Sequence, residues 1–188
     1  MSILLQQSIA GHRQALALLP PLYPLIEACA QKMASVFLAG GKLLICGNGG
    51  SAADAQHLAS ELTGRFERDR PGFPAFALTT DSSALTAIGN DYGFERLFAR
   101  QVESVAAPGD LLITISTSGH SANLLAAVAA AKVKDVHTVA LSGRDGGPLA
   151  HAVDLAITVA AERTARIQEM HLLILHLLCE LLEEQLCP

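Results

Sequence analysis

The segment Lys42-Leu43-Leu44-Ile45-Cys46-Gly47-Asn48-Gly49-Gly50-Ser51 constrains the fold more than any other stretch. It reads as a short buried strand running into a glycine-rich turn. The residues that follow, Ala52 to Arg65, have helical spacing. Strand, flexible turn and helix start, in that order, build an anion site. Free backbone N–H groups and the positive end of the helix dipole both favour a phosphate or carboxylate there. The same helix carries His57 and Glu61, four residues apart and so on one face.

The rest of the chain repeats this alternation. Strands are expected at Ala75–Leu78, Asp110–Ile115, His137–Leu141 and Asp154–Val159. Helices are expected at Ser82–Ile88, Phe94–Ala106, Ala122–Lys132 and Arg163–Gln185, with Gly89-Asn90-Asp91-Tyr92-Gly93 as a break. Five strands separated mainly by helices predict a three-layer α/β/α sandwich around a parallel sheet, in one domain over residues 1–188. Right-handed crossovers put all strand C-termini on one edge, where the loops after strands one, three and four converge. Two helices, Ser2–Leu18 and Leu22–Leu38, precede the first strand, and Gly40-Gly41 stops the second. They are expected to pack outside the sheet or against another subunit. The last helix is apolar nearly all round from Arg166 to Cys179, so it is expected to be buried, partly by a partner subunit.

Composition closes off several classes of function. A net charge of −5 leaves no basic footprint for nucleic acid. No apolar run reaches the roughly 18 residues that span a bilayer, and Met1–Leu18 lacks the pattern of a signal peptide. Cys29, Cys46, Cys179 and Cys187 show no CxxC spacing and read as small apolar fillers or a free tail thiol, which fits a reducing cytoplasm.

Four constellations bear on chemistry. Gly47–Ser51 is not GxGxxG and no Walker lysine follows it, so a dinucleotide or ATP is disfavoured. Taken alone, it also suits a plain strand–helix corner. The turn Ser116-Thr117-Ser118-Gly119-His120-Ser121 sets four hydroxyls around one glycine at a helix start. Hydroxyl donors and helix N–H groups suit a phosphate monoester, although one such hydroxyl would serve as an ordinary cap. His57 with Glu61 suits an acid/base pair, two metal ligands or a plain solvated pair. Gln168 and His176 lie eight residues apart on broadly similar faces of the last helix, whereas His171 points elsewhere as a structural histidine.

Taken together, CGNGGS with His57 and Glu61, GNDYGF, ISTSGHS, LSGRDGG and RIQEMH resemble the SIS (sugar isomerase) family over nearly the whole chain, and within it the isomerases of sedoheptulose 7-phosphate. The resemblance implies a flavodoxin-like five-stranded parallel sheet in a homotetramer with sites between subunits. The implied reaction converts sedoheptulose 7-phosphate to D-glycero-D-manno-heptose 7-phosphate, the first step toward the heptose of lipopolysaccharide core. It implies Glu61 as general base and His176 as general acid, with His57, Glu61, Gln168 and His176 holding zinc. Asn48, Gly49, Gly50 and Ser51, with Asn90 and Asp91, match sugar-contacting positions. Ser116, Thr117, Ser118 and Ser121 match the phosphate loop, Gln168 also faces substrate, and Arg65 sits where an arginine near the sugar is expected.

A second reading comes from the same resemblance. One SIS-family tetramer binds the replication initiator and promotes initiation without catalysis. This chain shares with it Thr80-Asp81, Leu85–Ile88 and Arg166–His171. Glu61, His176 and Gly50 favour the enzyme, since the binding protein is expected to lack the equivalents of Glu61 and His176.

Overall fold

Helix α2 (Tyr23–Leu38) ends where the sequence demands it. Gly40 takes φ +79°, its N–H bonds the Phe37 carbonyl and the Gly41 N–H bonds that of Val36. That closure is a Schellman cap, and it turns the chain into β1 (Leu43–Gly47). The computed structural model describes residues 2–187. Before α2 lie α1 (Ile3–Leu16) and a 3-10 turn at Pro20–Leu22. After β1 come α3 (Gly50–Thr63), β2 (Ala75–Ala77), α4 (Ser82–Tyr92), α5 (Leu97–Val105), β3 (Leu111–Ser116) and α6 (Ala122–Val133). The chain finishes with β4 (His137–Gly143), α7 (Gly147–Ala152), β5 (Leu155–Val159) and α8 (Thr164–Leu186).

All five strands pair in parallel in the order β2-β1-β3-β4-β5. Successive side chains point to opposite faces. Leu43 and Ile45 of β1, with Leu111, Ile113 and Ile115 of β3, therefore pack under α2, α3 and α8. Leu44, Cys46, Leu112 and Ala140 pack under α5 and α6 on the other face. The expected three-layer sandwich is present. The chain order reverses between β1 and β3, and there Gly47 stands level with Ile115. The loops that leave these two strands thus flank a topological switch point, where open α/β sheets bind ligands.

Several elements differ from the sequence reading. The expected break at Gly89–Gly93 does not occur: α4 is capped by the Asp81 carboxylate, which accepts from the Ala84 N–H, and continues to Tyr92. One internal glycine costs a helix only about 1 kcal/mol, so Gly89 is tolerated. The stop is Gly93, at φ +84°. Phe94–Arg96 forms a 3-10 turn ahead of α5, and α7 is a short helix that the sequence reading did not expect. Helix α8 is buried along Ile167, Met170, Ile174, Leu175, Leu178 and Leu182, as expected. By contrast, the apolar residues of α1 stay exposed: Ile3, Leu4, Leu5 and Ile9 face outward and only Ala15 is buried.

The loop after β3 is seated on the loop after β4 through Gly119. This residue has φ +67°, and a Cβ there would lie 2.0 Å from the Gly146 carbonyl oxygen. Gly119→Ala therefore meets both a disfavoured backbone and a backbone clash. We expect it to lower stability by at least about 2 kcal/mol, read from urea unfolding. An unchanged unfolding midpoint would contradict this close packing.

Candidate active site

Helices α3 and α8 run side by side and in the same direction. Their contacts climb together: Gly50 against Gln168, His57 against His176, and the segment after α3 against Glu183. At the first level a Cβ on Gly50 would lie 2.3 Å from Nε2 of Gln168, so any larger residue would push that amide aside. At the second level the two imidazoles meet, Nε2 to Nε2 at 2.9 Å. Glu61, one turn beyond His57, brings Oε1 to 3.4 Å from His57 Nε2. The Phe66 ring packs against His176 with centroids 5.4 Å apart.

His57, Glu61 and His176 each offer a ligand atom, and these atoms lie within 4.8 Å of one another. In a tetrahedral site with bonds near 2 Å, ligand atoms stand about 3.3 Å apart. The observed 2.9 and 3.4 Å separations bracket that spacing. Two imidazole nitrogens converging on one point need a shared proton or a shared cation, so the donor set fits a metal ion. Gln168 stands at the Gly50 level of the same groove.

At the third level a buried carboxylate secures both helices. Glu183 accepts from the backbone N–H groups of Phe66, Glu67 and Arg68 at 3.2, 3.1 and 2.9 Å, and from Arg70 Nε at 3.0 Å. Burial drives its pKa upward, but these donors outweigh burial and hold the carboxyl below its ordinary value. Arg70 also donates to the carbonyl oxygens of Glu61 and Leu62, both at 2.9 Å, at the end of α3.

Beyond the ends of β1 and β3 lie the two loops singled out by sequence. In the hydroxyl-rich loop the Gly119 N–H bonds Ser116 Oγ, the His120 N–H bonds Ser118 Oγ, and Ser116 Oγ lies 3.4 Å from Ser121 Oγ. Ser121 occupies the N-cap position of α6 but makes no capping bond with its side chain. Asn48 and the buried Asn123 exchange two amide hydrogen bonds, each 2.9 Å. Gly49 and Gly50 are exposed, while Ser51 is buried beneath the turn.

The structure brings His57, Glu61 and His176 together and sets Gln168 in the same groove. It does not gather Arg65, Asn90 and Asp91 with them. Arg65 is exposed and reaches only the Glu67 carbonyl, at 3.5 Å. Asn90 and Asp91 are exposed on α4, where the Asn90 amide donates to Asp91 at 2.8 Å. His171 is the expected structural histidine: fully buried, its Nε2 donates to the Ser142 carbonyl at 3.0 Å, and burial pulls its pKa down to about 4. Burial also pushes the thiols of Cys29 and Cys179 up to about 12, in keeping with inert core residues. Cavities of about 520 and 450 Å³ lie elsewhere, between α4 and α5 and at the opposite sheet edge, and no residue of the His57 cluster lines them.

Asp54 is a site residue that the sequence reading missed. It stands one turn before His57, and that i,i+3 spacing was the available signal. Its Oδ2 is buried without a hydrogen-bond partner among the described residues. Burial pushes its carboxyl up to about 6, against the pull of His57. A raised acid pKa means the folded state holds the proton better than the unfolded state, so wild-type stability is lost as pH rises from about 4 through about 6. Asp54→Asn does not titrate. In chelator-treated protein we expect its melting temperature to gain on wild type across that window and then level off. Thermal melts from pH 4 to 8 read this, and a pH-independent difference would contradict it.

Residues 21–143 match the SIS domain family. The chain belongs to the SIS domain family, whose α/β sheet it shares. Among its relatives, phosphoheptose isomerase from Thiobacillus denitrificans is 52% identical over 190 residues, covering 97% of this chain and 96% of the relative. Phosphoheptose isomerase from Roseiflexus sp. is 55% identical over 163 residues, covering 87% of this chain and 83% of the relative. The solved phosphoheptose isomerase from Francisella tularensis superposes with a TM-score of 0.93 at 39% identity, covering 98% of this chain and 100% of its own.

Proposed function

We propose that this protein is an aldose–ketose isomerase that converts sedoheptulose 7-phosphate to D-glycero-D-manno-heptose 7-phosphate, with Glu61 as base and His176 as acid. The carrying observation is the convergence of Glu61, His57 and His176, from two helices, within 4.8 Å. Nearly full-length relatives named phosphoheptose isomerase supply the substrate class. The replication-initiator reading draws no support from those relatives.

The reaction moves a proton between C1 and C2 through an enediol. The Glu61 carboxylate takes the C1 proton, and the C1–H electron pair forms the enediol double bond. His176 donates a proton to the carbonyl oxygen at C2. Collapse of the enediol returns the Glu61 proton to C2, while the C1 hydroxyl gives its proton back to His176, so atoms and charge balance. Each such transfer needs a group at hydrogen-bond reach of its proton. His57, 2.9 Å from His176, holds that ring in place. The hydroxyls and N–H groups of Ser116, Thr117, Ser118 and Ser121 bind the phosphate. Asn48, Gly49, Gly50 and Ser51, with Asn90, Asp91, Arg65 and Gln168, receive the sugar. His57, Glu61, Gln168 and His176 would hold a zinc ion, which when bound polarises the sugar oxygens as a Lewis acid.

The assembly that fits is a homotetramer in the cytoplasm with sites between subunits. The exposed Ile3, Leu4, Leu5 and Ile9 on α1 support burial against another copy. Asn90, Asp91 and Arg65, unengaged by the cluster of their own chain, suit a neighbour's site. No helix among the described residues is long and apolar enough to cross a membrane.

We expect Glu61→Gln and His176→Gln each to lower turnover of sedoheptulose 7-phosphate by at least about 100-fold while leaving the oligomer unchanged, as read by a coupled assay and light scattering. Near-normal turnover in either variant would refute the acid/base assignment. Elemental analysis of protein purified without chelator should find one zinc per chain, reduced in His57→Ala. Full activity in zinc-free protein would remove the metal from the proposal.

A further inference from the structure

Asn48 leaves the sheet directly after Gly47, at the end of β1. Asn123 lies in the first turn of α6, after the hydroxyl-rich loop, and is 2% exposed. Asn48 Nδ2 donates to Asn123 Oδ1, and Asn123 Nδ2 donates to Asn48 Oδ1, both at 2.9 Å. Two antiparallel bonds between planar amides fix orientation as well as distance, which one bond cannot do. Among the described residues these are the only side-chain hydrogen bonds joining the turn after β1 to the loop and helix start after β3. Gly49 and Gly50, which follow Asn48, offer no side chain to hold the turn, and Gly49 has φ +57°. The loop's own bonds do not reach the turn: the Gly119 N–H goes to Ser116, the His120 N–H to Ser118, and the Gly119 carbonyl accepts from the Leu149 N–H of α7.

We propose that Asn123 is a positioning residue that sets, through Asn48, the separation between the phosphate loop and the sugar-facing turn, and so selects a seven-carbon chain. This rests on the function proposed above. A sugar phosphate held at its phosphate end must present C1 and C2 to Glu61 at the other end. The distance between the two loops is then a length gauge. One carbon fewer withdraws the reacting carbons by about 1 Å, a displacement that can cost on the order of 100-fold in rate. Asn48 touches the sugar side and already spends its amide on Asn123, so its carboxamide plane is fixed before substrate arrives. Asn123 touches neither sugar nor reacting atoms and acts by holding Asn48.

The test uses the full chain and two variants. Asn123→Ala removes the pair. Asn123→Asp is nearly the same shape, still accepts from Asn48 and no longer donates to it, so it guards against a folding failure in the first. Three quantities are read: kcat/KM for sedoheptulose 7-phosphate, the inhibition constant of inorganic phosphate, and the ratio of the fructose 6-phosphate inhibition constant to the sedoheptulose 7-phosphate KM. We expect kcat/KM to fall roughly 10- to 100-fold. Phosphate inhibition should stay within about twofold, since none of the loop's own bonds involves Asn123, and the ratio should shrink at least about fivefold as length selection is lost. Variants that keep kcat/KM within about threefold of wild type overturn the inference, as does a parallel loss of phosphate inhibition, which would make Asn123 a mere support for the loop. Wild type with no turnover of sedoheptulose 7-phosphate overturns the functional reading itself. Wild-type turnover beside unaffected variants overturns only the role of Asn123.

Discussion

One buried carboxylate fixes the geometry on which the site depends. Glu183 is 2% exposed and lies two helical turns beyond His176 on α8. Its oxygens gather three backbone N–H groups of the segment that leaves α3, and Arg70 Nε. The guanidinium of Arg70 in turn holds the carbonyl oxygens of Glu61 and Leu62 and lies over the Phe73 ring, which stacks on Phe37. A single charged hub thus ties the end of the helix bearing His57 and Glu61 to the helix bearing His176. Taking one partner from a buried ion pair leaves an unpaired charge, worth about 3–5 kcal/mol. That penalty keeps the two helices in register without any contact between the hub and the reacting groups.

The sheet supplies the other half of the arrangement. Because the strand order reverses between β1 and β3, two adjacent parallel strands release their loops on either side of one crevice. The turn after β1 is made of backbone, and the loop after β3 is made of hydroxyls. Each alone is a common motif. Side by side they separate two tasks, close approach of the sugar and capture of the phosphate. The α3–α8 groove then runs from Gly50 and Gln168 up to the His57 cluster. Catalytic groups on rigid helices and binding groups on short loops are what one expects when geometry must be tight.

Periodic and local features were legible in the sequence. The five strands, their parallel arrangement and the Gly40 stop follow from apolar runs and glycine placement. His57 and Glu61 were readable as a pair because helical spacing alone sets them on one face. His176 was not readable that way. It meets His57 across 119 residues, and only the resemblance to the SIS family assigned it. Glu183 and Asn123 carry no local signal of their roles. Their roles lie in bonds spanning about 115 and 75 residues, which no local period encodes. Gly89 misled for the opposite reason: a local helix breaker was overruled by the Asp81 cap and by packing. Arg65, Asn90 and Asp91 were assigned by resemblance, and in one chain they stand apart from the cluster.

The glycine turn that dominates the sequence changes meaning once the structure is in view. Read alone, Gly47–Ser51 at a helix start is an anion cradle. In the fold, Gly50 is occupied by its closeness to Gln168, Ser51 is buried, and Asn48 is bound to Asn123. Few donors remain there for a phosphate, whereas the loop after β3 keeps an N-cap hydroxyl on Ser121 that makes no capping bond. A positive φ explains Gly49, and the Gln168 amide packs against Gly50 where a side chain would displace it. What the turn delivers to the chemistry is a direction: it launches α3 so that His57 and Glu61 face His176 across the groove.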